Sequence, residues 1–295
     1  MMTAVVSISG GKDSQATAIL AIDKYGAEGV DIVMADTGHE HPTTMEFVRD
    51  YLPGALGAPV EIVRADFSRQ IARKRAFIAR NWEYMGVPLV QVDRALATLH
   101  PTGNPYLDMC MWKGRFPSHM AQFCTHELKR NPIDQFMLDV CGTESWQGIR
   151  RDESRNRADA LAYERAVLDR PWAIVRPIVE WTAQQTVDFI KARGHRLNPL
   201  YSQGMGRVGC MPCINCNKNE LNEISKRWPE EVDRVREWEA IVSDCTKRID
   251  KSTFFPLESI DEAVRWSATF RGGREIDPDR LEPSASCSSL YGLCE

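Results

Sequence analysis

No stretch of the 295-residue sequence approaches the roughly 20 consecutive apolar residues that a membrane-spanning helix needs. The opening residues, MMTAVVSISGGKDS, also lack the charged segment and long apolar core of a secretory leader, so no membrane partner and a cytoplasmic location are expected. Basic residues are not in excess: 37 Lys and Arg stand against 41 Asp and Glu, a formal charge of -4. That excludes a global electrostatic footprint for nucleic acid and leaves a local basic patch open. There is no internal repeat. With 43% hydrophobic residues, the chain has enough apolar material for a sizeable core, which excludes a disordered or fibrous protein. Cysteine, by contrast, is plentiful. Nine in a reducing compartment read as metal ligands, catalytic thiols or buried small side chains before they read as disulfides.

What is present alternates. Ala4 to Ile8 is a short β-branched run, followed by two glycines and a helix-forming stretch from Ser14 to Tyr25. Asp31 to Ala35 repeats the strand pattern and ends in Asp36-Thr37-Gly38, after which Thr43 to Tyr51 is helical in character. Glu61 to Val63, Trp146 to Ile149 and Ala173 to Ile178 are further strand candidates, and Ser68 to Asn81 is a basic amphipathic helix. Such alternation predicts an α/β fold with a doubly wound, mostly parallel, Rossmann-like sheet. Ligands of these sheets sit at the carboxyl ends of the strands, where the two glycine-bearing segments would face one pocket. Residues 82–127 carry Pro88, Pro101, Pro105 and Pro117 and read as an irregular insertion or lid. A boundary near Gly204 divides a nucleotide-binding domain, 1–204, from a cysteine-rich helical region and tail, 205–295.

Ser9-Gly10-Gly11-Lys12-Asp13-Ser14 lies between strand and helix, the setting of a phosphate-cradling loop. The glycines let backbone N–H groups approach an anion, Ser9 and Ser14 bring hydroxyls, Lys12 brings a cation, and the helix start adds positive partial charge. The lysine follows adjacent glycines and precedes Asp13, unlike the kinase-type loop, so γ-phosphoryl transfer is not the natural inference. Gly148 is followed by Arg150, Arg151 and Arg157, whose guanidinium forks suit a phosphate or sulfate; a solvated face paired with Asp152 and Glu153 is the alternative. Asp13, Asp36, Glu40 and Glu153 are carboxylates open to Mg2+, and His39 and His41 to proton donation or phosphate contact.

Cys210, Cys213 and Cys216 form a C-x2-C-x2-C run, and with the distant Cys124 they make four thiolates for an iron-sulfur cluster or zinc. Lys113, Arg115, Lys129 and Arg130 flank Cys124 and make that neighbourhood basic. Cys141 and Cys245 read as packing residues, and Cys287 and Cys294 lie in a polar tail that suits a mobile thiol or redox pair.

Ser9 to Ser14 resembles the signature of the PP-loop superfamily, which includes ATP pyrophosphatases, ATP sulfurylase small subunits and phosphoadenosine phosphosulfate reductases. Resemblance to the reductase-like branch continues through Ala35 to Glu40, Gly148 to Ser154 with Arg157, and Asn198-Pro199-Leu200-Tyr201. It implies an adenine-nucleotide α-hydrolase-like sheet. It also implies that Ser9, Gly10, Gly11, Lys12, Asp13 and Ser14 hold nucleotide phosphates beside Mg2+, with Asp36 and Thr37 near the adenosine. Gly148, Arg150, Arg151 and Arg157 would then approach the anionic end. Arg207 to Cys213 is similar to the GCxPC segment of adenylylsulfate reductases, which favours a 4Fe-4S cluster over zinc. Phe123 stands where those reductases carry the first of two upstream cysteines. Cys216 is taken as fourth ligand because DndC-like DNA phosphorothioation ATPases resemble this arrangement, with Cys110 in reserve. The resemblance implies an ATP-consuming enzyme that cleaves between the α- and β-phosphates to activate a substrate for sulfur transfer. Its alternatives are a reductase using Cys294 as nucleophile, or a nucleotide-sensing or nucleic-acid-binding protein with a structural cluster. Catalytic roles fall to Lys12, Asp13, Arg150 and Cys294, with a thioredoxin-like protein, a cysteine desulfurase or a nucleic-acid acceptor as partner.

Overall fold

Ala4–Ile8 is buried along its whole length and forms β1, at the centre of a six-stranded sheet, in a computed structural model that describes residues 4–247 and 251–269. A strand covered on both faces has no solvent side, which is why its sequence is nearly continuous in apolar residues. The chain turns through Ser9 to Gly11 into α1 (Lys12–Tyr25), which begins two residues ahead of the expected Ser14. Gly26, at φ 75°, ends it, and β2 (Val30–Ala35) pairs in parallel with β1, Ile8 opposite Met34. A helical connection follows: α2 (Pro42–Glu46), a wider turn at Phe47–Tyr51, and α3 (Leu52–Leu56). It leads to β3 (Val60–Val63), and next comes α4 (Ser68–Asn81), with the bounds its periodicity predicts.

Where the prolines of residues 82–127 suggest irregular chain, the structure has helices instead. Pro88 precedes α5 (Leu89–Thr98) and Pro105 opens α6 (Pro105–Lys113), whose first turn is capped by the Asn104 side chain accepting from Leu107 N–H at 3.0 Å. A proline at a helix start removes no intrahelical hydrogen bond, so it initiates where mid-helix it would break. α7 (Asn131–Asp139), β4 (Glu144–Trp146), β5 (Tyr163–Glu164) and β6 (Ala173–Val175) follow. α8 (Ala183–Ala192) and the short α9 (Pro199–Ser202) precede α10 (Lys218–Arg227), α11 (Pro229–Asp244) and α12 (Ile260–Ser267).

The sheet order is β3-β2-β1-β4-β6-β5, parallel throughout except for the two-residue edge strand β5. Ala4, Val6 and Ile8 face a core shared with α1, α3 and α8, while Val5, Val33 and Ala35 face Ile133 and Met137 of α7. The doubly wound, mostly parallel sheet expected from the alternation is therefore what forms. β4 stops at Trp146 and not at Ile149, and β6 stops at Val175 and not at Ile178.

A third core lies beside the sheet. Ile71 and Ile78 of α4, Leu107 and Met109 of α6 and Leu128 pack with Val235, Trp238 and Val242 of α11 and with Phe254 and Ile260. Lys74 ties its parts together, donating from one ammonium to the carbonyls of Met111 at 2.8 Å and Cys245 at 2.9 Å. Burial lowers its pKa to about 8, so between about 8 and its ordinary value near 10.5 the unfolded chain binds the extra proton. The difference in unfolding free energy between the parent and Lys74→Met should thus shift in the parent's favour as pH rises through that window, measured by urea unfolding; a flat difference refutes it.

Candidate nucleotide and thiol site

The glycine-rich loop is closed upon itself. Ser14 Oγ accepts from Ser9 N–H at 3.2 Å and donates to Gly11 O at 2.9 Å. Gly10 sits at φ 80°, where a Cβ would also stand 2.8 Å from Thr44 Cγ2, so both backbone and space demand glycine. Asn198 donates to Gly10 O at 3.2 Å, and the Lys12 N–H donates to the Tyr201 hydroxyl at 3.0 Å. Lys12 is in the first turn of α1, 8% exposed, its Nζ 3.6 Å from Asp13 Oδ1 and 5.6 Å from the Tyr201 ring centre.

Asp13 is fully buried and accepts from Arg150 Nε at 2.6 Å, across the switch point between β1 and β4. Gly148 presses against the same turn: a Cβ there would lie 2.7 Å from the Asp13 carbonyl carbon and the Ser14 nitrogen. The arginines expected as an anion clamp are each met by carboxylates: Arg150 also by Asp152, Arg151 by Glu180, and the wholly buried Arg157 by Glu153. Asp152 and Glu153 are thus partners, as on the solvated-face alternative, but Arg150 and Arg157 are buried and not on a wet helix surface.

At the end of β2, Asp36 accepts from Gly38 N–H at 2.8 Å and lies 3.1 Å from Arg64 Nε. Thr37 Oγ1 donates to Glu40 Oε1 at 2.7 Å and lies 3.5 Å from Cys210 Sγ. Glu40 pairs with Cys210 as a backbone bridge, and burial raises its carboxyl pKa against the opposing pull of Lys129. His39 is fully buried. Its Nε2 is 2.8 Å from the Pro212 carbonyl, which can only accept, and its Nδ1 is 3.2 Å from Arg234, which can only donate. The ring is thereby the neutral Nε2–H tautomer, and burial, then Arg234, holds its pKa well below the usual range. His41 accepts from Thr43 N–H at 3.2 Å as a helix cap. Both histidines hold backbone through these ring atoms, His39 at the Pro212 carbonyl and His41 at the Thr43 N–H.

Cys124, Cys210, Cys213 and Cys216 line one cavity of about 40 Å3, walled by Leu128, Met205, Val208 and Ile224 and edged by Lys129 and Arg207. All are free thiols, and burial raises the pKa of Cys210 and Cys216. Soft donors in an apolar pocket suit a thiophilic centre in kind and number. Among the described residues, however, no three His, Cys, Asp or Glu side chains converge closely enough to grip an ion, which applies equally to the carboxylates weighed for Mg2+. Cys110 is wholly buried in the third core. Cys245 is buried, as a packing residue should be, but Cys141 is exposed at φ 53° in a turn after α7. Cys287 and Cys294 lie outside the described residues. Two of the four cations around Cys124 meet carboxylates, Lys113 with Glu127 at 2.8 Å and Arg130 with Asp134 at 3.2 Å.

Two features are invisible in the sequence. Lys129, read there as one of four cations flanking Cys124, is 8% exposed and lines both the thiol cavity and a smaller one with Ile8, Ser9, Met34, Ala35, Glu40 and Gly209. A cleft of about 450 Å3 opens over the α7 face of the sheet, floored by Ser7, Ser145, Gln147 and Ile174. Gln147 Oε1 is buried there with no hydrogen-bond partner.

A parallel doubly wound sheet with a glycine-rich loop at its switch point defines a nucleotide-site α/β protein. The chain belongs to the phosphoadenosine phosphosulfate reductase domain family, whose profile matches residues 3–216. Among its relatives, an uncharacterised 37.8 kDa protein of Escherichia phage 186 is 44% identical over 99% of this chain and 96% of its own length. An adenosine 5'-phosphosulfate reductase of Burkholderia cepacia is 30% identical over 73% of this chain and 88% of its own. A phosphoadenylyl-sulfate reductase structure from Candida auris, a phosphate complex, aligns with TM-score 0.44 at 15% identity over 71% of this chain and 82% of its own. No helix among the described residues is long and apolar enough to cross a membrane.

Gly148→Ala should destabilise the protein by about 1–3 kcal/mol, because the added methyl meets backbone and no flexible side chain. Urea unfolding measures it, and an unchanged midpoint with unchanged slope contradicts the packing argument.

Proposed function

We propose that the chain is an ATP-binding enzyme that cleaves between the α- and β-phosphates to activate a substrate for sulfur transfer. The observation that carries this reading is the adjacency of three cavities. Ile133 lines both the sheet cleft and the small cavity at Ser9, and Lys129 and Gly209 line both that cavity and the thiol pocket. A nucleotide with its adenosine over Ser7, Ser145 and Gln147 would extend its anionic end past Ser9 toward the thiols. The partnerless Gln147 Oε1 suits an exocyclic amine, which is a donor.

In this reading the loop Ser9 to Ser14 grips phosphate oxygens with Mg2+, and Tyr201 yields the Lys12 N–H to the ligand. In this placement Thr37 and its neighbour Asp36 fall at the anionic end beside the thiols and not at the adenosine, where the resemblance puts them, and Gly148 backs the loop. Lys12 and Lys129 stabilise charge that develops as the bond to the leaving pyrophosphate breaks. Arg150 and Asp13 fix the loop's position, and Arg151 and Arg157 hold the strand-end segment beside it. Cys124, Cys210, Cys213 and Cys216 would hold an iron-sulfur cluster, with zinc the alternative metal, and such a centre would tie the Cys124 segment to the Cys210 to Cys216 loop beside the anionic end of the substrate. The sulfur would come from a partner of the cysteine desulfurase class.

The relatives named adenosine 5'-phosphosulfate reductase favour a second reading, in which an adenylyl sulfate is the substrate. There a thiol such as Cys294 attacks the sulfur, the nucleotide monophosphate leaves, and a thioredoxin-like dithiol reduces the thiosulfonate to release sulfite. The complete lysine-bearing loop favours ATP, since a cation beside β- and γ-phosphates has more charge to offset.

Protein purified without oxygen should release pyrophosphate from ATP in the presence of its acceptor, and Lys12→Ala should lower that rate by roughly 100-fold or more. Sulfite release from adenylyl sulfate with thioredoxin, without pyrophosphate from ATP, transfers the assignment to the second reading. Iron content should fall on Cys213→Ser while far-ultraviolet dichroism is unchanged; iron-free, fully active protein removes the cluster.

A further inference from the structure

We propose that the outer face of α4 is a docking surface for single-stranded nucleic acid. Arg69, Arg73, Phe77, Arg80 and Tyr84 follow one another at helical spacings of four, four, three and four residues, so they form one stripe. The helical hydrogen bonding runs past Asn81, since Met85 N–H donates to Asn81 O at 3.0 Å, which places Tyr84 one turn beyond Arg80. All five are exposed, Phe77 at 47% and Tyr84 at 93%. The opposite face is used for packing, with Ile71 and Ile78 in the core and Lys74 and Arg75 donating inward to backbone carbonyls.

Several of the chain's arginines are ion-paired, and among the described residues those of this stripe are not. Arg130, Arg150, Arg157, Arg176, Arg193 and Arg236 each meet a carboxylate, whereas Arg69, Arg73 and Arg80 have no ion-pair partner among the described residues. Of the nearby acids, Asp66 already accepts from Ser68, at 2.8 Å from its N–H and 2.6 Å from its hydroxyl, and Glu83 lies beside Tyr84 outside the stripe. Lys247 adds a cation 5.9 Å from the Phe77 ring centre. Unneutralised guanidinium groups on a protein of net charge -4 are complementary to a polyanion.

The interleaved rings decide which polyanion. Exposed aromatic faces stack on unpaired bases, which a duplex keeps inside, and guanidinium groups between them meet the backbone. From Arg69 to Tyr84 the stripe is about 22 Å long at 1.5 Å per residue, room for several nucleotides. Its start adjoins the candidate site, because α4 follows β3 and Arg64 at that strand end contacts Asp36. A strand bound along α4 would therefore lead to the carboxyl edge of the sheet.

Fluorescence anisotropy of the full chain with a labelled 20-nucleotide single strand, the matching duplex, and phosphatidylglycerol vesicles as competitor tests this. The single strand should bind more tightly than the duplex and weaken steeply with salt. Arg73→Gln with Arg80→Gln should reduce affinity about tenfold and lower the salt exponent by about 1.4, at roughly 0.7 per contact. Tyr84→Ala should weaken binding roughly fivefold or more with the exponent unchanged. Lys226→Gln on α10 should bind as the parent does, and the assay contains no nucleotide, so a failed nucleotide assignment leaves this result intact. Parental affinity in the double glutamine variant with native dichroism overturns the proposal, as does preference for duplex or displacement of the protein onto vesicles.

Discussion

The carboxylate of Asp13 lies fully buried in the first turn of a helix, and such a charge is tolerated only if a cation reaches it. Arg150 does so from the segment after β4, at 2.6 Å, and the approach is feasible only because Gly148 has no side chain to keep the two backbones apart. One ion pair and one missing methyl thus fix the distance between the loops that follow the two central strands. Everything at the switch point inherits that distance: the closed turn of Ser9 and Ser14, the cleft over Ser7 and Gln147, and the path of the chain toward Arg157. Removing one partner leaves an uncompensated buried charge, at about 3–5 kcal/mol, so the pair is a constraint on geometry more than a source of net stability.

A second constraint joins the sheet to the thiols. The segment after β2 supports the cysteine loop three ways: Met211 N–H donates to His39 O at 2.8 Å, the His39 ring donates to Pro212 O, and Glu40 bridges Cys210. His39 is in turn packed among Tyr106, Trp238 and Phe254, with ring centres 4.4, 5.0 and 5.7 Å away, and so is held by the core that α4, α6 and α11 share. The helical part of the protein therefore orients the thiol loop through one neutral imidazole and through Arg234 of α11, which donates to the Met211 carbonyl at 2.8 Å. Its protonation would put a second donor against the Arg234 guanidinium in an apolar setting, which explains why burial and that arginine both hold it neutral.

Much of this was legible in the residues themselves. Apolar runs ending in Ser9-Gly10-Gly11 and Asp36-Thr37-Gly38 identify β1, β2 and their loops, because strand and turn chemistry are local. α4 is legible because Ile71 and Ile78 recur at helical spacing. The helices over 89–113 are obscured because Pro88 and Pro105 carry the same letter at a helix start as at a break. β5 is too short to show a period. Lys129 could not be told from Lys113, since burial of a cation depends on what packs over it from Gly209 and Glu40, far away in the chain. The partners of Arg150, Arg151 and Arg157 are likewise tertiary, and so the reading of an open clamp and that of a solvated face each caught half of what is there.

The closed state of the glycine-rich loop bears on how a nucleotide would enter. The Tyr201 hydroxyl occupies the Lys12 N–H, a neutral contact of 3.0 Å whose net value is about 1 kcal/mol. An anionic phosphate oxygen at the same N–H makes a charge-assisted bond roughly twice as strong, and it also meets the Lys12 ammonium, which a phenol only faces through its ring. Exchange of hydroxyl for phosphate therefore favours an anion over water or a neutral group. A loop covered in this way is protected until a ligand of the right charge arrives, and the selectivity resides in the difference between two acceptors at one backbone donor.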